Sequence, residues 1–460
     1  MSQPTPQFQE EEHINLTDDV VHEVVHGLQG EDSPQVQEAC EGLRCEDKAE
    51  LLNQLNTPQR ELLVEILGDD LTDNVLPALD ADAAEDVLRV LGTQKTAEKL
   101  ANLEVDDAVY VLKEFSNTEQ QTILNEMDSE ARRDIEQSFT YPEASAGRIM
   151  QKRVVSVPEF WTVGQVIDYL RTQSEETLPE RFYVIYVTNH KFYPVGVLPL
   201  SDLMRCNRDN KLTELMNTDI HPHHTHDDQE DVAFIFRKYG LVEAPVINEQ
   251  GRLVGTITVD DVVSVIQEED EEDFLKSAGL QSQDVYDTLF ESVKQRFPWL
   301  FVNLLTAIAA SAVIDLYENT IQQLVLLAVL MPIIASMGGN AGIQSATIAV
   351  RALATKKLAK GNAKYMIRKE IMLGFLNGIG LAVITGLGIF LIYQQIDIAL
   401  IFASATVITM IVAGLSGAGL PFLLQKLGID PAIASGVFLT MLTDMFGFLA
   451  FLGLASFMLL

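Results

Sequence analysis

Apolar positions in the first third of the chain recur every twelve residues. One series runs Leu52, Val64, Leu76, Leu88, Leu100, Leu112 and Leu124; a second, three residues behind it, runs Leu55, Leu67, Leu79, Leu91, Leu103, Phe115 and Met127. An i, i+3 apolar pair marks one face of a helix, and twelve residues suit a helix of two to three turns plus a tight turn. Units this short cannot bury a face alone, so the repeat predicts a stacked helical solenoid over 25–138, behind a polar, disordered stretch at 1–24.

From 139 the pattern changes to short β-like runs, and it does so twice. Residues 139–208 hold Gly147-Arg148-Ile149-Met150, Tyr183-Val184-Ile185-Tyr186-Val187, Gly196-Val197-Leu198 and Asp202. Residues 209–272 hold Leu215-Met216, Ala244-Pro245-Val246-Ile247, Gly255-Thr256-Ile257-Thr258-Val259 and Asp260-Asp261. Each reads as a ββα unit with a helix after the Asp. Six acids, Glu268 to Asp273, follow, and Val285, Leu289 and Val293 recur at the spacing of an amphipathic helix. That predicts a connecting helix within 273–296. Five apolar stretches close the chain, at about 297–316, 321–347, 371–393, 398–425 and 432–459. Each is long enough to cross a core of ~30 Å. The expected architecture is therefore multidomain: an all-α repeat, an α/β pair, and an α-helical membrane domain of five spans over 297–460.

Charge sharpens this division. The chain of 460 residues carries a net −34, with 32 basic and 66 acidic residues. Residues 291–460 hold 10 of the basic and 7 of the acidic ones, which leaves 22 and 59 in the first 290. An acidic water-soluble body attracts multivalent cations and repels nucleic acid and anionic lipid. Loop charge sets orientation. The loop after span 2 carries Arg351, Lys356, Lys357, Lys360, Lys364, Arg368 and Lys369, and the turn after span 4 carries Lys426; the loops after spans 1 and 3 carry no Lys or Arg. The soluble body is thus expected in the cytoplasm and the C-terminus outside. The polar start MSQPTPQFQEEE predicts no signal peptide. Cys40, Cys45 and Cys206 lie in the acidic part without a metal-type spacing, which fits a reducing compartment.

Deep in a span stands one acid, Asp444. A carboxylate there costs about 2.5–3.5 kcal/mol on insertion scales, so it should face a cavity or a partner. Gly436, Thr440, Asp444 and Gly447 share one helical face, small and polar, as a cation path requires. Span 2 contains Pro332 and, within five residues, Gly338, Gly339, Asn340 and Gly342. This run is expected to break or thin the helix and free hard carbonyl oxygens; the same glycines serve close helix packing equally well. Oxygen donors without Cys, His or Met argue against soft metals. One acid per chain suits a largely hydrated ion such as Mg2+, and a dimer would set two acids around one path.

The order of domains resembles the bacterial MgtE family of magnesium transporters. So do the stretches Gly338-Gly339-Asn340-Ala341-Gly342-Ile343-Gln344-Ser345-Ala346-Thr347, Arg351-Ala352-Leu353-Ala354-Thr355, Leu420-Pro421-Phe422-Leu423-Leu424 and Gly428-Ile429-Asp430-Pro431-Ala432. The two ββα units resemble a tandem pair of cystathionine-β-synthase (CBS) domains. The resemblance implies a homodimer in the inner membrane with one pore that imports Mg2+. It implies Asp444 as the central pore carboxylate with Thr440 one turn away. It also implies that cytosolic Mg2+ shuts the pore through Asp106, Asp228, Asp261, Glu269, Glu272 and Asp273. No other protein partner is indicated. ATP is left open as a ligand of the CBS pair, with Asp202 and Asp260 where ribose would be held, although Val184 and Leu241 stand where aromatic stacking residues are expected. The chain departs from the family pattern at Ile343 and Gly436, where Asn is common, and at Asn74, Tyr110, Gly240 and Ser264, where sensor acids are replaced. Weaker gating is the expected consequence.

Other readings are a membrane-anchored metal or nucleotide receptor without a pore, and a Co2+ or Mn2+ transporter. The run His221, His223, His224, His226 suits either a transition-metal site or, more often, a solvated loop. No Walker A sequence, Ser/His/Asp set or H-E-x-x-H is present, so no enzyme is expected. For topology, a reporter fused after Leu460 should be active outside the cytoplasm and one inserted near Lys360 inside it; the opposite result at either site would refute the span count.

Overall fold

The computed structural model describes residues 15–30, 32–68, 73–173, 178–179, 181–280, 289–355, 362–434 and 436–459. They form two compact units, Met1–Ile266 and Gln267–Leu460.

The first unit opens with a helical solenoid. Its helices are α1 (Asp18–Gln29), α2 (Ser33–Cys40), α3 (Cys45–Asn53), α4 (Thr57–Leu67), a 3-10 helix (Asp73–Ala78), α5 (Ala81–Leu91), α6 (Thr93–Asn102), α7 (Val105–Leu112), α8 (Asn117–Glu126) and α9 (Ser129–Ser138). The leading positions of the twelve-residue repeat, Leu52 to Leu124, are all at most 2% exposed, one per helix. Each such leucine contributes about 2 kcal/mol over leaving it exposed. The trailing positions are buried as expected, with Leu55, Leu67, Leu79, Phe115 and Met127 in the core and Leu91 and Leu103 packed against it. They sit at helix ends, where the amides of Leu55, Leu79, Leu103 and Phe115 donate to the carbonyls of Leu52, Leu76, Leu100 and Leu112 at 3.2–3.4 Å. These bonds satisfy last-turn carbonyls that a helix leaves unpaired. Helix starts keep the same period: Arg44, Asn56, Asp80, Gly92, Glu104, Ser116 and Asp128 are N-caps. Asn56 and Ser116 form full capping boxes.

Disorder was expected throughout 1–24, but α1 begins at Asp18. Thr17 caps it and two acids fill its first turn. Val20, Val21, Val24, Val25 and Leu28 give it an apolar face that packs into the solenoid core. Residues 1–14 lie outside the described residues.

Each CBS segment is βαββα rather than ββα. The first has β1 (Ser156–Pro158), α10 (Val163–Thr172), β2 (Val184–Thr188), β3 (Pro194–Pro199) and α11 (Leu200–Arg205), followed by the single-turn α12 (Leu212–Leu215). The second has β4 (His223–His224), α13 (Gln229–Tyr239), β5 (Glu243–Ile247), β6 (Leu253–Thr258) and α14 (Val259–Ser277). Both sheets run in sequence order, with a parallel first pair and an antiparallel second pair. The opening strands have only three and two residues, too few to show alternation in sequence. A buried polar group joins the halves. The Tyr186 hydroxyl lies 2.7 Å from Thr256 Oγ1, and the Glu243 carboxylate accepts from Thr256 Oγ1 and from the amides of Tyr183 and Val184. The histidine run is not a loop throughout: His223 and His224 form β4, and His221 stacks on Tyr239 at 4.0 Å.

Basic side chains just before β1 reach back to the solenoid. Arg153 pairs with Glu104 at 3.2 Å, and Lys152 with Asp134 at 3.3 Å.

The second unit holds the end of α14, then α15 (Leu289–Asp315), α16 (Glu318–Gln323), α17 (Leu326–Ala354), α18 (Ala363–Tyr393), α19 (Ile396–Lys426) and α20 (Val437–Leu459). The five long helices are apolar and long enough to cross a membrane, over Ser292–Asp315, Leu326–Ala354, Ala363–Tyr393, Ile396–Lys426 and Val437–Leu459. The acidic run 268–273 is helical, inside α14. The predicted connecting helix falls partly outside the described residues, at 281–288; of the rest, 273–277 closes α14, 278–280 follows it as a turn, and 289–296 continues into α15. Lys356, Lys357 and Lys360 are likewise outside them.

Buried Arg60 ties α4 to its neighbours. It donates to the carbonyls of Leu52 and Leu55 and pairs with Asp86 at 2.7 Å. Arg60→Ala leaves those acceptors unpaired in a dry site and should cost the solenoid about 2–4 kcal/mol. Faster hydrogen exchange in α3–α5, with the membrane helices unchanged, is the expected readout.

Candidate functional site

The predicted break in span 2 does not occur. α17 is one continuous helix through Pro332 and all three glycines. Its glycines bring helices together instead. A methyl group on Gly338 would lie 2.7 Å from Thr409 Cγ2, and one on Gly417 would lie 2.5 Å from the Gly342 carbonyl oxygen. No real side chain fits there, so α17 packs backbone-close against α19 and α20.

That packing opens a cleft on the other face of α17. The cleft, about 290 Å³, is lined by Ala335, Ser336, Gly339, Asn340, Ile343, Thr440 and Asp444. Four of the five residues expected in the pore thus share one cleft: Asp444, Thr440, Gly339 and Asn340. The fifth, Gly338, faces Thr409 and Thr443. Gly447 also leaves the cleft and packs on Ile334 and Thr409. The Thr440 hydroxyl is 3.1 Å from the Gly436 carbonyl and 3.0 Å from that of Val437. Its hydrogen is engaged there, and its lone pairs remain to accept. The cleft therefore offers a carboxylate, an amide and a hydroxyl, all hard donors able to hold a hydrated divalent cation through its waters.

Asp444 is not the only acid within a long helix. Glu370 is 5% exposed in α18 and accepts from Ser345 Oγ at 2.8 Å. The preceding Arg368-Lys369 placed it in a loop by sequence; the helix in fact starts at Ala363.

The six expected sensor acids do not assemble as one set. Asp106 on α7 and Asp261 on α14 come together, joined by Asp107, Glu104 and Asp260, which sequence reasoning did not assign to the sensor. Asp106 is 8% exposed, and its Oδ1 has no hydrogen-bond partner. Burial, then the charges of Asp261, Asp107 and Glu104, hold its carboxyl well above the usual range. Burial, then Asp261, Glu104 and Asp260, push Asp107 up to about 7. Burial raises Asp261 to about 6 against hydrogen bonds from Thr258 and Gln151. Like charges brought together with an unpaired oxygen carry both a desolvation and a repulsion cost. Asp228 stands apart, exposed, capping α13. Glu272 and Asp273 belong to the second unit beside Lys276 and Asp430, with Glu269 near Asp273. Among the described residues, no group of three or more His, Cys, Asp or Glu side chains is arranged to hold a metal ion.

The two CBS halves superpose with an offset of 59 residues, since β2 and β5 begin at Val184 and Glu243 and α11 and α14 at Leu200 and Val259. This register pairs Asp202 with Asp261 and not with Asp260. Asp202 and Asp260 are both exposed, while Asp261 turns to Thr258.

Fold and cleft together define a membrane cation transporter with a CBS-bearing soluble region. Residues 331–454 match a family model described as a divalent cation transporter, 43–144 the MgtE intracellular N domain, and 146–209 and 212–268 CBS domains. The magnesium transporter MgtE of Thermus thermophilus is 31% identical over 441 residues, covering 94% of this chain and 97% of that one. The Bacillus subtilis transporter of the same name is 30% identical over 389 residues, covering 84% and 86%. A solved cytosolic domain of the Mg2+ channel MgtE in complex with ATP is 30% identical, covering 53% of this chain and 99% of that one, with a TM-score of 0.47. The chain belongs to the MgtE family of magnesium transporters, a family of transporters and not of enzymes.

The raised carboxyls of Asp106, Asp107 and Asp261 give a pH dependence in metal-free buffer. The folded state keeps protons that the unfolded chain, titrating near ~4, has released. Between there and about 7 the folded form binds more protons, so stability falls as pH rises. Protection of α7 in EDTA should thus be greater at pH 5 than at pH 8, and Asp107→Asn with Asp261→Asn should flatten the slope. An unchanged slope would refute the clustering.

Proposed function

We propose that this chain imports Mg2+ through a pore between two copies, each contributing the cleft of α17 and α20. Asp444 is the central carboxylate, with Thr440, Asn340 and Gly339 beside it and the ion passing largely hydrated. The observation that carries this reading is the shared cleft: the acid that is costly in a membrane faces the polar stretch of α17 and, among the described residues, has no hydrogen-bond or ion-pair partner. A second copy set cleft to cleft would enclose the path and bring two carboxylates to one ion. The soluble region lies in the cytoplasm and the C-terminus outside, in the inner membrane, as the loop charges support.

We further assign regulation to cytosolic Mg2+ at the carboxylates of α7 and the start of α14, with Asp106 and Asp261 as principal ligands. A bound divalent cation would supply the charge that lets these buried acids stay ionised together. It biases the gate only by its differential affinity for the two states.

Asp444→Ala should reduce Mg2+ uptake to background in proteoliposomes, with the purified protein retaining its oligomeric state and helix content. Asp444→Asn should also fail, since it keeps the size and loses the charge. Uptake at the wild-type rate by either variant would overturn the pore assignment. Cross-linking that yields only monomer in the active protein would overturn the two-copy pore.

A further inference from the structure

The cleft of α17 and α20 is polar along most of its length, and one branched apolar side chain interrupts it. Ser336, Asn340 and Ile343 lie at i, i+4 and i+7 on the open face of α17; Thr440 and Asp444 lie one turn apart on α20. The contacts behind the cleft set their levels. A methyl group on Gly338 would stand 3.3 Å from Thr443 Cβ, and one on Gly342 would stand 3.1 Å from Leu439 Cγ, so the two helices run antiparallel. In that register Asp444 falls between Ser336 and Asn340, and Thr440 falls just past Asn340. Ile343 falls level with Phe438, about 9 Å along the axis from Asp444 at 1.5 Å per residue. It stands beyond Thr440, toward the end of α17 that carries Arg351. The lining changes character there. Ile343 is 41% exposed. One turn before Thr440 on α20 comes Gly436, which has no side chain to offer. The carbonyls of Gly436 and Val437 already accept from the Thr440 hydroxyl at 3.1 and 3.0 Å, and that of Ile343 accepts from Thr347 Oγ1 at 2.9 Å.

We propose that Ile343 is a specificity-determining residue of the transport path: an apolar rung, on the Arg351 side of the Asp444 site, that ions cross only with their water shell complete. The role rests on the two-copy pore proposed above, in which two such side chains would meet across the path. Apolar constrictions resist ions because water leaves them readily. Mg2+ gives up its waters reluctantly, whereas Ca2+ accepts six to eight oxygens in flexible geometry and takes carboxylates directly. At Ser336, Asn340, Asp444 and Thr440 either ion finds oxygen ligands or partners for its waters. Beside Ile343 both find methyl groups. A hydrated Mg2+ loses only outer hydrogen bonds there. A Ca2+ ion that has exchanged waters for the Asp444 carboxylate must recover all of them first, since no protein oxygen stands in for them at this level. The rung thus slows both ions and slows Ca2+ more.

Fluxes of Mg2+ and of Ca2+ into metal-free proteoliposomes, measured on the full-length protein, test this. Ile343→Asn is close in size and should raise Mg2+ flux roughly tenfold, the value of about one hydrogen bond regained at the barrier. It should raise Ca2+ flux by more, so that the Mg2+ to Ca2+ ratio falls. Ile343→Thr keeps the branch at Cβ and should give part of both changes, which covers an Asn variant that fails to fold. Ile343→Leu matches the volume without the polarity and should raise neither flux. Ile343→Ala widens the path but stays apolar, and should raise both fluxes without moving the ratio. Equal fluxes in the Asn and Leu variants would overturn the rung, as would a ratio that moves as far in Ile343→Ala as in Ile343→Asn. Asp444→Ala separates the rung from the transport reading. Wild-type flux in that variant removes the pore and the rung together; background flux there, with Ile343→Asn no faster than wild type, removes the rung alone.

Discussion

The membrane unit depends on one contact, the backbone-to-backbone approach of α17 and α19. Gly417 sits over the carbonyl of Gly342, and Gly338 sits beneath Thr409 and Thr443. In lipid there is no hydrophobic gain from joining two apolar helices, so van der Waals contact at close range must supply the attraction. Once α17 is held this way, its register against α20 is fixed. The opposite face then presents Gly339 and Asn340 to Thr440 and Asp444. A side chain at Gly417 would push α17 outward, and the cleft would lose its shape although no cleft residue had changed.

The chain handles its surplus of acid in three distinct ways. Asp444 borders a cleft that it shares with the polar stretch of α17. Asp106 is buried with Asp107 and Asp261 half-buried beside it, and all three hold protons more tightly than free carboxylates do. Glu104, Asp134, Glu272 and Asp430 are each matched to a cation of the same chain: Arg153, Lys152 and Lys276. The first arrangement suits passage, the second suits a response to ion concentration, and the third suits permanence. A net charge of −34 is therefore a poor guide to how much negative field any one site presents.

Much of this was legible in the sequence. The twelve-residue spacing identified the solenoid because burial enforces it, and span length and the lone deep Asp444 identified the membrane unit. What escaped had local causes. β1 and β4 are too short to carry a period. The valines of α1 lie in a segment whose overall polarity hid them. The Pro332 and glycine run suggested a broken helix, because composition does not distinguish a kink from a packing face; only the neighbours of Gly338 decide that. Glu370 was masked by the adjacent Arg368 and Lys369. Asp107 and Asp260 became part of a cluster only when α7 was folded against the start of α14, a juxtaposition between residues about 150 positions apart.

The solenoid repeats its helix starts and its buried apolar position at one fixed interval, while the carbonyl lock recurs only at Leu55, Leu79, Leu103 and Phe115. Cutting out or duplicating twelve residues therefore keeps the buried series in register on both sides of the join. The length of this arm is thus adjustable in whole steps without redesigning its core. Insertions of any other length would throw leucines onto the surface and caps into mid-helix. Such an arm is a ruler with a single graduation, and relatives that differ in reach could have changed only the number of marks.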